Sequence, residues 1–235
     1  MNIELHETQE LNEISNKLID GLIFCRKIYK IFENIKRSKN GIDRLRLRKS
    51  DLEKKLIEEL LPLSRYIQMK YSPGRKIKIK WTYGNQPCDA YILSSGLFVD
   101  IGEVSRKYFL EVTTAVHQND YLCRQYLHEQ GHCWGPKGTK RDKITKEIIS
   151  KPYAWSGYEH ADDFGEIIIK RIIEKNNKNY PENTLLLIWC QLNYIFSDSE
   201  WDHMVDKVKN SQLPNNFKEI SLFDSNYRFF NTLYF

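Results

Sequence analysis

Apolar residues recur three or four positions apart through Leu11, Ile14, Leu18, Cys25, Ile28, Phe32 and Ile35, with Gly21 the one gap. A stripe of that period is the seam of one long amphipathic helix. Lys39-Asn40-Gly41 breaks it. A second stripe, Leu52, Leu56, Leu60, Leu63 and Ile67, predicts another helix. Ser50 with Glu53 three residues on reads as its capping box, and Pro62 predicts a kink. Two helices joined by a short basic turn predict an antiparallel hairpin. Residues 1–50 read as a helical arm, a surface for a homodimer or a partner protein. Residues 51–235 read as an α/β domain with an insertion around 129–157.

The period then changes from 3.6 to 2. Ile77, Ile79 and Trp81 alternate with Lys78 and Lys80, a strand with one wet face. Strands are expected at 88–93 and 108–115, with turns at 84–87 and 94–96. Residues 120–128 read as a short helix and 131–152 as a polar loop. A helix follows at 159–176, with Ala161, Phe164, Ile168 and Ile172 on its apolar face. Tyr180-Pro181 stops it. Residues 184–191 read as a continuous apolar strand covered on both faces. A helix at 199–208 and a strand at 218–223 close the chain. The order after the arm is helix, three strands, helix, strand, which is a mixed α/β (α+β) fold.

Composition narrows the class. In 235 residues, 41% hydrophobic and 29% charged, there is enough apolar material for a real core. No apolar run reaches the length of a membrane span, and the first ten residues are too polar and acidic for a signal peptide. A cytoplasmic protein without a membrane partner is expected. The five cysteines are scattered and form no C-x-x-C pair, so they are expected to be thiols. Charge is uneven: residues 36–55 carry nine Lys and Arg against three acids. A second basic stretch runs through Lys137, Lys140, Arg141, Lys143 and Lys146. Clustered cations of this kind suit phosphate contact, as in nucleic-acid binding, as well as plain solvated surface.

Two constellations could carry chemistry. The first is Asp89 in the second strand and Glu111 in the third. If these strands pair, the two carboxylates lie side by side, which is costly unless a cation joins them. Hard oxygen ligands suit Mg²⁺ or Mn²⁺. A structural account is also open: Asp89 as a turn cap, and Glu111 paired with Lys78 or Lys80.

An acid followed about twenty residues later by Glu-x-Lys, within helix, three strands, helix, strand, marks one nuclease superfamily. Over residues 50–191, in topology and spacing, this chain resembles the PD-(D/E)xK, or restriction-endonuclease-like, nucleases. The resemblance implies a restriction-endonuclease-like core, Mg²⁺ or Mn²⁺ held by Asp89 and Glu111, and hydrolysis of phosphodiesters, in DNA before RNA. It implies a role in defence against foreign DNA or in repair. A first-helix acid, Glu58 or more readily Glu59, would complete the cluster. The chain departs from the pattern at the lysine, where Thr113 stands. Arg124, Lys170 or His117 are the candidates for a relocated cationic group. The departure leaves open a nuclease fold that binds nucleic acid without cutting it.

The second constellation is His128-Glu129-Gln130-Gly131-His132, which matches H-E-x-x-H. On a helix the two His share a face and bind Zn²⁺, with the Glu as general base. Glu159 or His160 would be the third ligand of this alternative zinc peptidase. Against it stand Gly131 and the Gly135-Pro136 pair, which end the helix where the second His is needed. The aromatic content of 13% is high, and Trp81, Tyr83, Trp134, Trp155 and Tyr158 lie near turns and basic loops. They suit base stacking or loop packing. No Gly-rich phosphate loop or G-x-S-x-G elbow is present.

Overall fold

The computed structural model describes residues 3–84, 86–192, 197–213, 216–226 and 228–234. Asn85, in the expected 84–87 turn, lies outside the described residues. The chain opens with α1 (Ile3–Ile14), β1 (Leu18–Asp20), α2 (Gly21–Arg37) and α3 (Gly41–Leu47). Next, α4 (Asp51–Lys55) passes through a π-helical turn (Leu56–Leu60) into α5 (Leu61–Lys70). Then come β2 (Lys76–Trp81), β3 (Ala90–Ser95), α6 (Leu97–Asp100), β4 (Lys107–Ala115) and α7 (Asp120–Gln130). A small hairpin of β5 (Thr139–Arg141) and β6 (Ile148–Ser150) precedes α8 (Gly157–Asn176). The order ends with β7 (Thr184–Cys190), α9 (Asp198–Asn210), β8 (Glu219–Asp224) and β9 (Phe230–Leu233).

The main sheet runs β1-β2-β3-β4-β7-β8-β9. Its first four strands are antiparallel; β4, β7 and β8 are parallel; β9 is antiparallel again. The fold is therefore mixed α/β. The switch to parallel pairing at β4 requires a long crossover, which α7, the hairpin and α8 supply. Two cores result. One lies between α2, α5 and one sheet face, the other between α8, α9 and the opposite face of β4, β7 and β8.

The N-terminal stripe does not form one helix. It breaks after Ile14, and Leu18 to Asp20 pair with β2 as an edge strand. Asp20 then caps α2, its carboxylate accepting from the N–H groups of Leu22 and Ile23 at 2.9 and 3.1 Å. Gly21 is required by close approach, since a Cβ there would lie 2.8 Å from the Ile67 side chain and 3.1 Å from the Ile77 carbonyl. Nor does α2 stand apart from the sheet. Phe24, Ile28, Ile31 and Ile35 are fully buried in the same core as Ile77, Ile79, Ile92 and Leu110.

The Ser50–Glu53 capping box forms as the spacing predicts. Pro62 acts differently from the expected kink. It has no N–H to give the Glu58 carbonyl, and the helix widens by one residue just before it, with the Leu61 N–H bonding back to the Leu56 carbonyl. Thr114 Oγ1 donates to the Glu58 carbonyl at 3.4 Å instead. The widened turn carries Glu58 and Glu59 onto the edge of β4.

Candidate functional site

Strand β4 outlasts β3. Their pairing ends at Ala90 opposite Leu110, while β4 continues to Ala115 beside β7 alone. One further step of the same register sets Asp89 against Glu111, both on one face of the sheet. The backbone of β4 is left without a strand partner on that side. Asp89 substitutes for one: its Oδ2 accepts from the Val112 N–H at 2.7 Å, and its own N–H bonds the Leu110 carbonyl at 3.0 Å.

Other elements close on the same notch. The π-helical turn brings Glu59, whose carboxylate accepts from the Trp81 indole N–H. The last turn of α8 brings Lys175, whose ammonium pairs with the buried carboxylate of Glu111. The hydroxyl of Tyr180, just after α8, also lies beside Glu111. Glu59, Asp89, Thr113 and Lys175 line a cleft of about 350 Å³, with Lys54 and Lys55 at one wall.

Three carboxylates thus gather around one half-buried lysine. Burial raises the Asp89 pKa to about 7, and the charges of Glu59 and Glu111 push it the same way. The Val112 N–H and Lys175 oppose that shift without cancelling it. Glu59 is raised too, by burial first and by Glu111, against the indole donor of Trp81, Lys55 and Lys175. The cluster holds more acid than its local cations neutralise. An all-oxygen donor set under like-charge strain is the chemistry that a hard divalent cation relieves. Among the described residues no three His, Cys, Asp or Glu side chains already stand in a metal-holding arrangement. Each of the three carboxylates is turned to a protein partner instead.

The other expected cationic groups lie elsewhere. Arg124 pairs with Asp120 and donates to the Gln191 side chain and, at 3.2 Å, to the Arg46 carbonyl. Gln191 also takes Arg48 at 3.3 Å, and Arg48 holds Glu58 at 3.0 Å. Arg124 is therefore linked to the wall of the cleft through Gln191, Arg48 and Glu58. Lys170 and His117 line a different cavity of about 340 Å³, together with Lys137 and Asp163. Lys175 went unread, although the sequence carried a signal for it. The inward stripe Ala161, Phe164, Ile168, Ile172 continues at Lys175, and a lysine on a buried stripe demands a partner.

The H-E-x-x-H residues are not brought together. Helix α7 ends at Gln130, capped by Gly131 at φ +74°, and His132 lies beyond it. His128 Nδ1 meets Asp43 at 3.3 Å, whereas His132 Nδ1 lies 3.1 Å from the Gln130 carbonyl. Glu129 accepts from Gln125 at 2.8 Å. Glu159 closes the capping box at the start of α8, and His160 is packed between Trp155 and Phe164. The basic stretch at 36–55 is partly consumed inside the fold, since Arg44 pairs with buried Glu53 at 2.7 Å and Arg46 with Asp43 at 3.4 Å. The five cysteines are thiols. No helix among the described residues is long and apolar enough to cross a membrane. No protein-family model, no curated protein and no solved structure matches the chain.

Proposed function

We propose that this protein is a metal-dependent nuclease with a restriction-endonuclease-like core, hydrolysing phosphodiester bonds in DNA. The observation that carries the reading is the convergence of Glu59, Asp89, Glu111 and Lys175 where β3 ends beside β4. The order α4–α5, β2, β3, β4, α8, β7 supports it. In this reading Lys175 takes the place of the lysine that the resemblance would put at Thr113, reaching the same Glu from a helix.

Asp89 and Glu111 would hold the cation, with Glu59 as a third donor. Mg²⁺ or Mn²⁺ bound there supplies a Lewis acid for a phosphoryl oxygen and lowers the pKa of a water. The chain's own groups have defined tasks. Asp89 must give up the proton it retains near neutral pH before it can serve as a ligand. Lys175, which now pairs with Glu111, would offset the charge of a phosphate in the cleft if Glu111 held a cation. Lys54 and Lys55, which line the same cleft, would take the flanking phosphates.

The test is cleavage of plasmid, linear duplex and single-stranded DNA with Mg²⁺ or Mn²⁺, with bound metal assayed on the same preparation. Wild type cuts, and Glu111→Gln or Lys175→Ala cuts about 10²-fold slower or worse. No cutting by wild type with either metal would sink the reading. Retained nucleic-acid binding in that case would leave a nuclease-like fold that no longer cuts.

A further inference from the structure

The helical layer of α8 and α9 stops at β4. No residue of β1, β2 or β3 belongs to the core beneath it among the described residues. One face of half the sheet is therefore open, and its composition can be read from the strand register. Lys80, Tyr91 and Phe109 lie side by side across β2, β3 and β4. The next row is Lys78, Leu93 and Lys107, and Lys76 follows at the end. Lys76, Lys78 and Lys107 are exposed, while Tyr91 and Phe109 are half-buried. Only one carboxylate falls in these rows, Asp20, and it is engaged in capping α2.

The lysines and rings are interleaved. Lys107 lies 4.7 Å from the Phe109 ring centre and 5.4 Å from that of Tyr91, and Lys80 lies 5.8 Å from Tyr91. The face also leads to the cleft. Tyr91 is two residues from Asp89 and Phe109 two from Glu111, about 6.5 Å along each strand.

We infer that this open face is a track for single-stranded nucleic acid leading into the carboxylate cleft. Tyr91 and Phe109 stack on unpaired bases, and Lys76, Lys78, Lys80 and Lys107 hold the phosphates between them. The charge selects a polyanion. The rings select one whose bases are exposed, because a duplex hides its base faces inside the stack. A sheet presenting two aromatic rings among lysines meets both demands at once. The direction of the strand towards a cutting site rests on the nuclease reading; the binding itself does not.

The test is anisotropy of a labelled 20-nucleotide oligo(dT) and of a 20-base-pair duplex, on the full chain in EDTA at several salt concentrations. Oligo(dT) binds at least tenfold tighter than the duplex. Tyr91→Leu with Phe109→Leu weakens oligo(dT) binding at least tenfold, as loss of stacking requires. Lys78→Gln, Lys80→Gln and Lys107→Gln together flatten the salt dependence by about two powers of concentration. These three are surface changes, so they keep the test decisive should the leucine pair fail to fold, as a thermal melt would report. Equal affinity for duplex and oligo(dT) would overturn the inference, as would an unchanged salt slope. Polyglutamate binding as tightly as oligo(dT) would give the face to an acidic protein and overturn it too. Cutting is measured separately with Mg²⁺. Its absence beside intact oligo(dT) binding would fail the nuclease reading alone.

Discussion

Strands β2 and β7 belong to one sheet and share almost no pattern. Lys76–Trp81 alternates between open and buried positions, whereas every residue of Thr184–Cys190 is buried. The difference reports what covers each face. β2 has α2 and α5 on one side and nothing from the α8–α9 layer on the other; β7 is sandwiched. β4 joins the two halves and takes both characters. Its early residues, Lys107 and Phe109, lie on the open face, and its later ones run under α8. Glu111 is the residue at the change, a buried carboxylate met by the last turn of the helix that does the covering. The cleft is thus a consequence of the seam: β3 ends there, the second layer ends there, and acids from three elements meet there.

The contrast breaks most visibly in stability. Leu187→Ala in β7 removes a fully buried side chain from the packed half and should cost about 2–5 kcal/mol. A urea midpoint unchanged by that substitution would mean that β7 is not the sandwiched strand described here.

The seam itself should respond to pH. Asp89 is raised from an ordinary carboxylate value to about 7. Between about pH 4 and pH 7 the folded chain keeps a proton there that the unfolded chain has released. Stability therefore falls as pH rises through that window, by at most a few kcal/mol, and the loss is complete above it. Asp89→Asn should remove this slope from the pH dependence of the denaturation midpoint. On the proposed reading Mn²⁺ would compete with the same proton. Its stabilising effect should be larger at pH 8 than at pH 6, and absent from Asp89→Asn. Equal stabilisation at both pH values would detach Asp89 from any metal site.

The legible parts of the molecule are those where local pattern and tertiary cover agree. Alternating lysines announced β2, and Thr184–Cys190 announced a strand buried twice. Asp89 and Glu111 were readable as neighbours on the condition that their strands pair; the register that sets Ala90 against Leu110, across a connection that holds α6, came from the fold. The lysine was not readable from spacing. Lys175 reaches Glu111 through tertiary packing of α8, and its one local mark is that it continues an apolar stripe. The N-terminal stripe misled for the opposite reason. A helical period persisted across Leu18–Asp20, but β2 offered an edge to pair with, and Asp20 could cap the helix that follows. At His128–His132 the residue types fitted zinc, while the glycine between them ended the helix that zinc geometry requires.

The smallest expected effect sits within a single strand. Ile79 and Lys78 are adjacent in β2 and face opposite sides. Ile79→Ala opens the first core, where the residue is fully buried, and should cost about 2 kcal/mol or more. Lys78→Gln keeps the strand and its backbone pairing and removes one exposed charge, so its effect on the midpoint should stay within about 0.5 kcal/mol. Were Lys78 held in place by the fold, through its cross-strand neighbour Asp20, the loss would exceed that bound. If the midpoint does not move, the fold has no use for a lysine at that position. A solvated lysine gives the same unmoved midpoint, so the salt dependence of oligo(dT) binding decides: a flatter slope in Lys78→Gln ties the charge to a polyanion, and an unchanged slope leaves it to water.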